Sequence, residues 1–428
     1  MAAPSDQEKE KLLNTQFRVK KNVKTLNDPT FVIYFSGFMD LFAVSMIIML
    51  ILPRCKELGA SPTLTGIIGS AYGAVQLFSG PIIGKWSDMA GRRLSLWVCL
   101  ILSATGYIML GMATSLLLLF VARIPTGIFK HSQSISKSYL ADILPTDKQA
   151  AALGRFNAMS SIGFIVGPIV GGHIAEWSNG FSVVAYLTGF LFTLNSVIVW
   201  LFIHDLKKPK HEEGETTEEL VHSKKNPATS EVSFSLWHFL KSIKEIDWRN
   251  LWDVFLVKFF LGFAMIVYRA NFVLMTQDKF QTTPKMNGYL ISYTGIVAAL
   301  SGFFVGRITK FYSSHARLLF HMSVLQALTL ASLILVPSVW TLFLCLTPLS
   351  FITSVSRVSG TSLTIQRGGH ENVGELIGLS QSLMAFARML SPFVGGVALE
   401  FSINGPTVVA VISSTIAVLI MVLHGHYR

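Results

Sequence analysis

The chain has 428 residues, of which 51% are hydrophobic and 14% charged, with a mean hydropathy of +0.53. A soluble domain is about 25% charged, so lipid is the solvent for most of this chain. The net charge of +11 does not mark a nucleic-acid binder, because the basic residues gather in alternate loops between apolar runs.

Met1 to Pro29 is polar and Lys-rich, so no cleavable signal precedes the first apolar run, which acts as the first anchor. Within this tail, taken as residues 1–30, Glu8, Leu12 and Leu13 form the acidic dileucine pattern that sorting adaptors read on cytoplasmic tails. That pattern points to an endosomal or lysosomal membrane. Runs of about twenty apolar residues then predict twelve spans. The first six lie near 31–53, 63–83, 93–113, 116–139, 156–177 and 182–204, within a bundle at 31–204. A segment at 205–249, rich in Lys, Glu, Thr and Ser, reads as a disordered cytoplasmic linker ending in an interfacial helix near Leu236 to Ile246. The second six lie near 252–275, 287–308, 317–336, 339–362, 375–398 and 405–424, within 250–428. With a cytoplasmic N-terminus, about 24 Lys and Arg fall on cytoplasmic segments and about four on lumenal ones. An even number of spans then leaves the C-terminus cytoplasmic too.

The halves repeat each other. Gly167-Pro168-Ile169-Val170-Gly171-Gly172 returns as Ser391-Pro392-Phe393-Val394-Gly395-Gly396, in the fifth span of each half, and the same offset pairs Gly154 with Gly378. Small residues let helices approach closely, and a proline bends a span where neighbours can bind the freed carbonyl.

Between the second and third spans, Gly84-Lys85-Trp86-Ser87-Asp88-Met89-Ala90-Gly91-Arg92-Arg93 predicts a loop in which two glycines allow a tight reversal and the arginines hold it on the cytoplasmic side. This stretch resembles the corresponding loop of the major facilitator superfamily of secondary transporters. Arg123-Ile124-Pro125-Thr126-Gly127 resembles that family's fourth-helix element, and Gly163 with Gly167, Pro168, Gly171 and Gly172 resembles the fifth-helix element of its antiporters. Asp40 stands where tetracycline/proton antiporters also carry a first-helix aspartate. The resemblance implies an all-α membrane fold of twelve helices in two pseudo-symmetric bundles. Helices one, four, seven and ten would line a central cavity while three, six, nine and twelve face lipid. Gly306-Arg307-Ile308-Thr309-Lys310, the second-half counterpart of the loop, lacks the aspartate. A cytoplasmic latch built on Asp88, Arg92 and Arg93 is therefore expected to be asymmetric.

A charge at the bilayer centre costs about 2.5–3.5 kcal/mol on insertion scales, so such residues face a cavity or a partner. Asp40 is on span one, Arg123, Lys130 and Lys137 on span four, Lys258 and Arg269 on span seven, and Arg357 on span ten. Spans three, six and twelve carry no Asp, Glu, Lys or Arg in their interiors, and Arg388 on span eleven is the main exception. On a continuous helix Arg123, Lys130 and Lys137 would share one stripe, displaced by about 20° at each step. Asp40 and Lys130 lie at similar depth. They form either a static ion pair or a switch in which protonation of Asp40 releases Lys130. Lys137, Lys258 and Arg357 lie near cytoplasmic ends, where they either snorkel to the interface or pair with Asp142, Asp253 or Glu375 as gate latches.

One acid against seven bases makes the expected ligand a small organic anion, held by Arg123, Lys130, Arg269 and Arg357. Protons would couple through Asp40. Lys137, Asp88, Arg92, Arg93, Gly167, Pro168 and Pro392 would serve gating. The alternatives are efflux of amphipathic compounds or a membrane sensor that keeps the fold without flux. No nucleophile, base and orienter gather in one place, no cofactor is implied, and Cys55, Cys99 and Cys345 have no metal-ligand spacing. The bilayer, protons, an anionic small molecule and a sorting adaptor are thus the expected partners.

Overall fold

A computed structural model describes residues 28–204, 248–312, 314–369 and 373–424. Among them are thirteen helices: α1 (Pro29–Glu57), α2 (Pro62–Ala90), α3 (Arg92–Gly111), α4 (Leu116–Phe129), α5 (Ser132–Ile143), α6 (Thr146–Ala175), α7 (Gly180–Phe202), α8 (Trp248–Phe280), α9 (Pro284–Phe311), α10 (His315–Ile334), α11 (Val339–Gly368), α12 (Val373–Phe401) and α13 (Gly405–Leu423). Eleven are each long and apolar enough to cross a membrane. Asp28, Ser61, Ser115, Thr283, Ser314 and Ser338 cap helix N-termini through their side chains, binding amides that lipid could not. The residues expected to form the dileucine signal, Glu8, Leu12 and Leu13, lie outside the described residues, as does the linker segment Leu236 to Ile246.

Two expectations are corrected. The fourth span is not one helix but α4 and α5, of 14 and 12 residues, broken at Lys130 and His131. Lys130 takes φ −77°, ψ 59° and His131 takes φ −116°, ψ 10°, and the His131 amide turns back to the Phe129 carbonyl at 2.7 Å. The carbonyls this break exposes find donors on α2: Ser79 Oγ donates to Gly127 O at 3.2 Å and Gln76 Nε2 to Lys130 O at 3.2 Å. Nor is Gly84 part of a loop. Helix α2 runs past it to Ala90, because its polar residues need no hydrocarbon, and the reversal is made at Gly91 alone, with φ 95°.

Helices α1–α7 form one bundle and α8–α13 the other, with α1 packed on α6 and α7, and α8 correspondingly on α12 and α13. The bundles meet through two helix pairs, α2 with α12 and α6 with α9. Both pairs use the sequence repeat. A Cβ on Gly172 would lie 2.7 Å from Pro284 O on α9, and one on Gly396 would meet Pro62 and Gly66 on α2. Gly167 abuts Ser45 and Phe42 of α1, Pro168 O sits against Gly288, and Pro392 sits against Gly66 and Gly69. These contacts lie toward one end of the molecule, the far side, opposite the side where residues 28 and 424 lie, the terminal side.

Polar links between the bundles gather at the far side as well. Lys56 pairs with Asp278, Thr63 binds Glu400, Tyr289 Oη and His173 Nε2 are 3.1 Å apart, and Ser292 Oγ donates to Ile165 O at 2.6 Å. Toward the terminal side the same helices part. A Cβ on Gly84, Gly154, Gly302, Gly306 or Gly378 would touch nothing, and Phe78, Ile82, Phe303 and Phe304 are exposed. The molecule is closed at the far side and open at the terminal side.

The seam is testable. Gly66→Val puts a branched side chain against the Pro392 carbonyl and should cost about 1–3 kcal/mol by overpacking. Disulfide formation between Thr63→Cys and Glu400→Cys, read by gel mobility, should be efficient in the parent and poor in the Gly66→Val background. Equal yields in both would remove the close approach as the cause of far-side closure.

Candidate functional site

Within the first bundle the deepest charged residues have found each other. Asp40 is 2% exposed. Lys130 Nζ lies 2.7 Å from each of its carboxylate oxygens, Ser132 Oγ donates to it at 2.8 Å and Gln133 Nε2 at 2.9 Å. Gln133 Nε2 also binds Gly37 O at 3.1 Å, and Ser160 Oγ on α6 donates to Gln133 Oε1 at 3.4 Å. The ammonium rests 5.2 Å from the Phe192 ring of α7. The helix break makes this possible, since it brings Lys130, Ser132 and Gln133 together around a single carboxylate.

The break also dissolves the predicted stripe. Arg123, on α4, is 8% exposed and stacks 3.9 Å above the Tyr72 ring of α2, with its Nε lacking a hydrogen-bond partner. Lys137, on α5, is exposed and lies 5.9 Å from the Phe156 ring. Its expected partner Asp142 belongs instead to Arg92 Nε at 2.8 Å, and Arg92 also reaches Asp88 at 2.5 Å. Asp88, Arg92 and Asp142 thus tie α2, α3 and α5 within one bundle. Arg93 donates to Trp200 O at 2.6 Å and lies 4.3 Å from the Trp200 ring. In the second bundle Asp253 is likewise taken by Arg367 at 2.7 Å, not by Lys258. Lys258 Nζ is held by two hydroxyls, Ser380 at 2.8 Å and Thr364 at 3.1 Å.

Arg269 and Arg357 stand differently. Both are exposed although Met265, Phe272 and Val273, and Ser354 and Gly360, one turn away on their helices, are buried. Each is thus an exposed cation on a helix face whose residues one turn away are covered. The two guanidinium groups lie within electrostatic range of each other, and among the described residues neither side chain pairs with a carboxylate.

Ser132, Gln133, Gln76 and Ser79 were not singled out in the sequence. A signal exists: Lys130 to Lys137 reads Lys-His-Ser-Gln-Ser-Ile-Ser-Lys, far too polar for an uninterrupted span. His131 Nε2 lies 2.8 Å from Ser79 Oγ on α2.

The fold has counterparts among known proteins. The model of the Major Facilitator Superfamily matches residues 33–392. The chain belongs to the major facilitator superfamily. Quinolone resistance protein NorA of Staphylococcus aureus is 23% identical over 409 residues, 94% of this chain and 98% of that protein. A bacterial homologue of the human lysosomal transporter Spinster, solved inward-facing and occupied, superposes with a TM-score of 0.74 at 13% identity, covering 93% of this chain and 96% of that one. The human organic anion transporter MFSD10 gives 0.62 at 18% identity, covering 92% and 98%. This superfamily member is therefore a multi-pass membrane protein of transporter fold.

The buried pair has a measurable signature. Asp40→Ala or Lys130→Ala alone leaves an uncompensated charge and should cost about 3–5 kcal/mol in detergent unfolding, whereas Asp40→Leu combined with Lys130→Met should recover most of that loss. Additive losses in the double variant would mean that the two side chains are not coupled.

Proposed function

We propose that the protein is a proton-linked secondary transporter of small organic anions that works by alternating access. The observation that carries this reading is the pair of exposed arginines on otherwise covered helix faces, Arg269 and Arg357, which pair with no carboxylate among the described residues, next to a bundle whose deepest lysine is matched by Asp40. Arginine suits bidentate contact with carboxylate, sulfonate or phosphate. Arg123, stacked on Tyr72, extends the basic surface into the first bundle. Lys130 joins it only when Asp40 takes a proton and gives up its hold on the ammonium, and this exchange is the coupling step. Residues 31–204 and 250–428 rock against each other, with Gly167, Pro168 and Pro392 at the seams and with Asp88, Arg92, Arg93 and Lys137 on the cytoplasmic side, where both termini and the linker 205–249 lie.

An acidic lumen would supply the gradient. The dileucine pattern at Glu8, Leu12 and Leu13 supports an endosomal or lysosomal membrane and a sorting adaptor as partner. We also read Gly37 to Met46, Gly127 to Ser136 and Gly288 to Tyr293 as resembling the vertebrate major facilitator superfamily domain-containing protein 9.

A second reading, export of amphipathic compounds, draws on the NorA likeness and on stacked phenylalanines. Phe35, Phe38 and Phe42 stack along α1, while Phe259 stacks on Phe263 and Phe386 in the second bundle. Liposomes holding the purified protein and a pH-sensitive dye separate the two. Benzoate and related carboxylates should move protons through wild type, weakly or not at all through Arg269→Gln and Arg357→Gln, and without dependence on the imposed pH gradient through Asp40→Asn. Proton movement driven solely by organic cations would favour export, and an Asp40→Asn variant with unchanged pH dependence would rule out coupling at Asp40.

A further inference from the structure

Arg388 is the charged residue that the sequence left outside the cavity-lining set, and its place on α12 can be read from its neighbours. On one side of it along the helix surface, Met384 packs on Gly262 and Gly395 on Asn271 and Val267, all of α8. On the other side Met389 packs on Gly73, and Pro392 on Gly66 and Gly69, all of α2. A side chain leaving the helix between those two contacts projects into the space between α8 and α2, which is the gap between the bundles. Arg388 is exposed there, although Ala387, Ser391 and Gly395 beside it are buried. It lies within electrostatic range of Tyr72, the residue whose ring carries Arg123 on its face.

Charge accounting gives this position meaning. The interior of the second bundle holds Lys258, Arg269, Arg357 and Arg388, while among the described residues its acids, Asp253, Asp278, Glu375 and Glu400, stand toward helix ends. Lys258 is bound by two hydroxyls. Among the described residues none of the three arginines pairs with a carboxylate. At 1.5 Å per residue, Arg269, Arg388 and Arg357 lie about 16, 20 and 27 Å from the far-side ends of their helices. The three arginines thus leave their helices at positions staggered over about 10 Å of depth, the length of a small ligand with an acid at each end.

We propose that the cargo carries at least two negative charges and that Arg388 binds the second. This rests on the reading of the cavity as an anion site and narrows it to dianions, since a monoanion would leave two guanidinium charges uncompensated in a space of low dielectric.

The probes are benzoate, phthalate and terephthalate at constant ionic strength, titrated against the purified full-length protein by thermal shift. Wild type should bind at least one dianion about tenfold more tightly than benzoate, the value of one added charge-assisted contact. Arg388→Gln should erase that preference and leave the benzoate response in place, while Arg388→Lys should retain part of it. Arg269→Gln should weaken all three probes. Equal affinity for monoanion and dianions, or a preference that survives in Arg388→Gln, overturns the proposal while leaving the anion site standing. Absence of stabilisation of wild type by every probe overturns both. If Arg388→Gln does not fold, Arg388→Lys decides: a reduced dianion preference with benzoate binding intact supports the proposal, and an unreduced preference, or loss of benzoate binding along with the preference, counts against a second subsite at Arg388.

Discussion

An ammonium group inside a helix bundle in lipid is costly unless a counter-charge or a set of polar groups binds it, and in the first bundle Asp40 is the counter-charge of Lys130. Much follows from it. To bring Lys130 to Asp40 the fourth span gives up its continuity, and the backbone groups released by the break must be bound by Gln76 and Ser79 of α2. Ser132 and Gln133, placed just beyond the break, use the remaining acceptor capacity of the carboxylate. Three helices, α1, α2 and the α4–α5 pair, are thereby fixed to one another by polar bonds, while Ser160 brings in α6.

The second bundle has the same ancestry and a different electrostatic outcome. The repeated hexapeptide packs the same way in both halves, with Gly171 against the Met46 backbone of α1 and Gly395 against Asn271 of α8. Yet no acid in the second half corresponds to Asp40; the interior cations there are left to hydroxyls, as for Lys258, or to the open gap. The deepest lysine of one half is paired with a carboxylate and that of the other is not. In the proposed cycle this division gives proton coupling to the first bundle and anion binding chiefly to the second.

The fold was legible because its determinants are local and periodic. Runs of apolar residues marked the helices, and the paired glycine-proline motifs marked where helices approach closely. The contact between Asp40 and Lys130 was foreseeable from depth alone. The break was not, because a helical wheel assumes the continuity it is used to analyse, and the polar run after Lys130 was counted as part of the span. The partners of Lys137 and Lys258 were misassigned for a related reason. Asp142 and Asp253 lie near those lysines in sequence register, but Arg92 and Arg367, longer and able to fork, arrive from other helices and take them. Sequence depth locates a charge along the membrane normal; it does not say which way the side chain turns.

Gly154 and Gly378 occupy matching places in the two halves, and so do Gly84 and Gly306, yet none of the four meets a neighbour that a methyl group would disturb. A residue that weakens a helix and serves no contact is hard to account for by the arrangement in which it is seen. Under the proposed alternating access it becomes intelligible as the imprint of a second arrangement, in which the terminal-side halves of α2, α6, α9 and α12 would press together as tightly as their opposite ends do now. The vacant glycines would then outline the interface of that other state.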